Sequence, residues 1–155
     1  MTATEPSTTS AEALVQDRIE QLLAAGDAAT ADPVAFRGRQ YDLGLAWVHF
    51  PEGWGGLDLP PNHQKAVDAA LRKAGAPSPD ARHFFGLTMA GPTVVTHGDE
   101  ALKTRLLRRM YTGEDSWCQL FSEPGAGSDL AGDDHAVRLA LGCTVLPAGV
   151  GNTEL

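Results

Sequence analysis

Asp99-Glu-Ala-Leu-Lys-Thr-Arg-Leu-Leu-Arg-Arg-Met-Tyr-Thr-Gly113 reads as one amphipathic helix with both of its ends marked. Asp99 offers an N-cap carboxylate, Gly113 supplies a stop, and Leu102, Leu106 and Met110 recur at helical spacing. Lys103, Arg105, Arg108 and Arg109 fall among these apolar positions, so the basic cluster reads as the solvated face of the helix, with a phosphate or partner contact as the alternative.

Similar signals continue towards the N-terminus. Phe84 to Val95 is nearly uncharged and contains Pro92, which predicts a buried helix kinked or staggered at the proline and forming the core of the domain. Pro60-Pro61-Asn62 opens a short helix expected to turn Ala66, Val67, Ala70 and Leu71 inward before Gly75 and the Pro77/Pro79 pair end it. The run Trp47 to Gly56, WVHFPEGWGG, predicts an ordered aromatic loop of structural rather than chemical use. Asp32-Pro33 is an N-cap followed by an N1 proline, opening a helix through Phe36 towards Leu43 that Gly38 and Gly44 weaken. Thr9-x-x-Glu12 is a capping box, after which Val15, Ile19, Leu22 and Leu23 share a helical face until Gly26. Residues 1–8, rich in Thr, Ser and Pro, are expected to form a mobile arm. The fold class expected for residues 9–113 is therefore all-α, a bundle of about five helices joined by short loops.

Composition narrows the function classes. A chain of 155 residues holds one ordinary domain plus a remnant, and 43% apolar with 21% charged residues is the balance of a folded protein. The formal charge of −8 argues against nucleic acid as the main partner. Cys118 and Cys143 lack zinc-like spacing, and the five histidines show no i, i+4 pairing, so no metal site is expected. With neither a signal-peptide pattern nor an apolar run long enough to span a membrane, the expected location is cytoplasmic.

Beyond the capped helix, Trp117 to Phe121 is apolar and reads as a single β-strand. It runs into Gln119-Leu-Phe-Ser-Glu-Pro-Gly-Ala-Gly-Ser-Asp129. Gly125, Gly127 and the Ser128 hydroxyl suit an anion-binding nest, because glycine tolerates the backbone angles that make amides converge. The loop is neither a Walker A sequence nor a G-x-G-x-x-G turn, and on its chemistry alone a plain surface turn is the competing reading.

Pro-Glu-Gly-Trp-Gly-Gly at 51–56, His-Gly-Asp-Glu at 97–100 and Ser-Glu-Pro-Gly-Ala-Gly-Ser-Asp at 122–129 occur in one order and spacing that resembles the flavin-dependent acyl-CoA dehydrogenase family. The resemblance covers about residues 12–132. It implies an N-terminal helical domain followed by a β-domain and a C-terminal four-helix bundle, usually in a homo-oligomer with FAD between domains. Members oxidise an acyl-CoA thioester to its α,β-enoyl form and pass the electrons to an electron-transfer flavoprotein. By this resemblance Gln119, Leu120, Phe121, Ser122, Gly127 and Ser128 are the expected cofactor-binding residues, and Ser128 also meets the CoA part of the substrate. Glu123 and Asp129 are expected to organise the loop.

The pattern breaks after Gly132. The family would continue into strands with a G-x-K-x-aromatic segment, whereas residues 133–155 hold no Lys, Ile or aromatic residue. Residues 114–132 then read as the start of a flavin-binding middle domain and residues 133–155 as an atypical tail, consistent with a reading-frame change or a mispredicted gene end. No residue matches the family's general base, so the expectation is a chain that is inactive alone and binds FAD weakly or not at all. The alternatives are a helical interaction module, or a subunit completed by a separately encoded chain.

Overall fold

Ala11, Val15, Ile19 and Leu22 are spaced three or four residues apart, and all four are buried along one side of α1, Thr8–Ala24. The structure, a computed structural model, describes residues 8–80 and 83–118. Its remaining helices are α2 (Pro33–Asp42), α3 (Gln64–Lys73), α4 (Gly91–His97) and α5 (Glu100–Thr112), and no β-strand forms among the described residues. The all-α expectation holds there. Trp117 and Cys118 lie outside any helix or strand, and the rest of the expected strand, residues 119–121, lies outside the described residues.

The helix ends follow their caps. The Asp32 carboxylate accepts from the Ala35 amide at 2.8 Å and the Asp99 carboxylate from the Leu102 amide at 2.7 Å. Gly113 closes α5 with φ +82°, a left-handed angle that costs a side-chain-bearing residue about 1–2 kcal/mol. α1 begins one residue before the expected Thr9, within the play of helix ends. α3 follows a 3₁₀ turn at Pro61–His63, because the prolines at 60 and 61 can enter a helix only at its first turn.

Two apolar clusters flank the segment 41–59. Ala11, Val15, Ile19, Leu22, Phe36 and Val67 form one with Leu45, Val48, Leu57 and Leu59. Trp47, Phe50, Tyr41, Val94, Leu107, Met110 and Tyr111 form the other, where α2 and α4 pack on α5. Between them the aromatic loop is pinned by its own backbone: the amides of Ala46 and Trp47 both donate to Gly55 O, at 3.1 and 3.0 Å, and those of Leu57 and Leu59 to Val48 O, at 3.1 and 3.0 Å. The structural use expected of this loop is what the structure shows.

Three burial expectations are corrected. Phe84 to Val95 is not the core: Phe84 is 58% and Met89 41% exposed, and only Gly86, Gly91 and Val94 of the segment are buried. Low charge does not mean burial here, since one side of the segment, with Gly86, Gly91 and Val94, meets the domain while Phe84 and Met89 face outward. On α3, Val67 is buried and Ala70 and Leu71 partly so, but Ala66 is exposed, because the helix meets α1 through a narrower stripe than its apolar residues suggest. On α5, Leu107 and Met110 are buried while Leu102 and Leu106 are only partly covered, so the buried stripe is rotated relative to the one read from the sequence.

Candidate functional site

Pro92 has no backbone N–H, and that deficit shapes the surface of the α4 region. Gly86–Ala90 forms a π-helical turn in which the Gly91 amide donates to Gly86 O, five residues back. The next bond of that register would run from residue 92 to Leu87 O, and proline cannot make it. Trp47 supplies the missing donor, its indole Nε1 lying 3.2 Å from Leu87 O. The indole is itself fixed by a stacked Phe50 at 4.8 Å and an edge contact with Tyr111 at 4.9 Å.

Glycines bring this turn down onto the domain. A Cβ at Gly86 would lie 2.8 Å from Met110 Cγ, and one at Gly91 would lie 3.0 Å from both Gly86 O and Trp47 Cζ2. The opposite side carries the exposed Phe84 and Met89, with Thr88 and Thr93 returning their hydroxyls to the carbonyls of Phe84 (2.6 Å) and Met89 (2.8 Å). Trp117, on the segment leading out of the domain towards the loop at 119–129, also packs near Gly86. The apolar ledge of Phe84 and Met89 therefore lies on the outer side of the turn, and Trp117 packs on its glycine side.

The basic residues of α5 work within the fold. Arg108 Nε and Nη2 each donate to Asp42 at 2.9 Å, with the guanidinium passing over Gly38, where a Cβ would come within 2.6 Å of Nη2. The hydrogen bond to Asp42 holds the Arg108 guanidinium above its ordinary value. Arg109 makes a fork with Asp115, at 2.9 and 2.5 Å, and the Arg37 Nε donates to Thr112 O at 2.9 Å, where the last turn of α5 leaves a carbonyl to satisfy. Lys103 lies 5.9 Å from the Trp54 ring centroid, and Arg105 is exposed. The solvated-face reading thus fits Arg105 best, whereas Arg108 and Arg109 tie α5 to its neighbours while remaining about half exposed.

A cleft of about 570 Å³ opens between α3 and the turn at 76–79, with Trp47 and Tyr111 at its floor. Burial, reinforced by the Asp68 carboxylate, raises the Tyr111 phenol well above its ordinary value. Burial first and the Asp42 carboxylate second push Tyr41 up to about 12, against the opposing pull of Arg108. Both phenols stay neutral at physiological pH, so neither offers a phenolate base. No group of three or more His, Cys, Asp or Glu is placed to hold a metal ion, and no helix is long and apolar enough to cross a membrane, among the described residues.

Residues 5–114 match the family model described as acyl-CoA dehydrogenase, N-terminal domain. The chain belongs to the acyl-CoA dehydrogenase family. Similar curated proteins include acyl-CoA dehydrogenase IpdE1 of Mycobacterium tuberculosis, 38% identical over 97 residues, which are 63% of this chain and 25% of that protein. Acyl-CoA dehydrogenase FadE34 of the same organism is 41% identical over 90 residues, 58% of this chain and 12% of that protein. IpdE1 of Mycolicibacterium smegmatis is 36% identical over 88 residues, 57% of this chain and 22% of that protein. The chain thus spans a quarter or less of these acyl-CoA dehydrogenases, and the matched domain is the helical one described above.

The cofactor-binding residues expected from sequence, Gln119, Leu120, Phe121, Ser122, Gly127 and Ser128, all lie outside the described residues. A flavin dinucleotide needs donors converging on its diphosphate beside a flat slot for the ring. The described residues provide no such set: the cleft between α3 and the turn at 76–79 has one guanidinium on its walls, Arg72, with the Asp68 carboxylate one helical turn away. They do not fit FAD by themselves, and no redox step follows from their geometry. The ledge was missed by sequence reasoning because uncharged residues were read as buried. Its signal was Pro92, which leaves a carbonyl needing an outside donor, together with Gly86 and Gly91, which place only one side of the turn against the domain.

Proposed function

We propose that this chain supplies the N-terminal domain, residues 9–113, and the opening of the flavin-binding middle domain, residues 114–132, of an enzyme that desaturates acyl-CoA thioesters. Carrying this reading is one observation: the matched N-terminal domain ends at residue 114 and the Ser122-Glu-Pro-Gly-Ala-Gly-Ser-Asp129 loop follows within a few residues. In that enzyme FAD supplies the oxidation chemistry, and Gln119, Leu120, Phe121, Ser122, Gly127 and Ser128 contribute part of its seat. An electron-transfer flavoprotein collects the electrons, the assembly is a homo-oligomer, and the location is cytoplasmic. The 155 residues by themselves contain no counterpart of the family's general base, and one loop offsets little of the ordering cost of holding a large dianionic cofactor. The polypeptide alone is therefore inactive.

A second reading, a helical module that docks on another polypeptide or is completed by one, is favoured by the exposure of Phe84 and Met89. Co-expression tests both readings, with the chain paired with a polypeptide carrying the middle and C-terminal domains of a similar acyl-CoA dehydrogenase. The first reading expects acyl-CoA-dependent dye reduction from the covalently joined protein and none from the chain alone. Activity from two separate polypeptides would favour the second, and no activity in either arrangement counts against the acyl-CoA dehydrogenase assignment of function.

A further inference from the structure

We draw no further inference here: the strongest candidate, the cleft of about 570 Å³ between α3 and the turn at 76–79 above Trp47 and Tyr111, carries nothing because the polar side chains at its floor are already hydrogen-bonded within the fold and nothing in the structure shows what would fill it.

Discussion

The indole Nε1 of Trp47 donates to the carbonyl oxygen of Leu87 at 3.2 Å, across 40 residues of sequence. This bond stands in for the amide that Pro92 lacks, so the two side chains are coupled although neither bonds to the other. Trp47→Phe leaves a partly buried carbonyl without this donor, and a loss of about 1–3 kcal/mol in unfolding free energy is expected. In a Pro92→Ala background the restored amide can serve Leu87 O, and the same substitution should cost less. Urea unfolding of the four proteins measures the coupling; equal costs in both backgrounds would show that the carbonyl is not the shared partner.

Two glycines of the same part of the fold should answer differently to alanine. At Gly38 the new methyl meets only the end of the flexible Arg108 side chain. Helix propensity gains about 1 kcal/mol, while disturbing a half-exposed ion pair loses about 0.2–1 kcal/mol. Gly38→Ala should therefore fall between no change and a gain of about 0.8 kcal/mol over the parent. At Gly55, φ is +85° and the methyl would lie 2.6 Å from Tyr41 Cε2. Gly55→Ala should lose at least about 2 kcal/mol from backbone strain and overpacking together. Thermal or urea unfolding ranks them, and equal losses would contradict the packing described.

Tyr41 and Tyr111 are the two tyrosines of the chain, so tyrosinate absorbance reports on them alone. Both are raised in the folded protein, Tyr41 to about 12 from 10.0. As the pH rises past 10 the unfolded chain releases these protons while the folded one keeps them, so the contribution they make to stability is intact below pH 10 and lost as pH climbs towards 12 and beyond. In denaturant the absorbance should rise near pH 10.0, and in the folded protein the Tyr41 part of it about two pH units later, with Tyr111 later still. Half of the signal appearing at the denatured midpoint in folded protein would place one ring in solvent and contradict the aromatic cluster.

Much of the helical frame was legible because its signals are local. Asp32 and Asp99 each cap the helix they precede, Gly113 ends α5, and the spacing of Val15, Ile19 and Leu22 identifies the buried side of α1. What failed depended on partners distant in sequence. The exposed Phe84 and Met89 look like core residues until Trp47 and Met110 are known to occupy the glycine side of their turn. Arg108 looks solvated until α2 presents Asp42 one turn beyond a glycine. The loop at 119–129 is the reverse case: its sequence resembles a family motif, whereas Gln119 to Ser128 lie outside the described residues.

The most direct test of the functional account is bound flavin on the 155-residue polypeptide itself. Protein purified with excess FAD and passed through gel filtration should be helical by circular dichroism, should melt cooperatively, and should carry no flavin absorbance. A helical protein eluting with FAD in near-stoichiometric amount would show that these residues build a complete cofactor site, contradicting the claim that they supply only one wall of it.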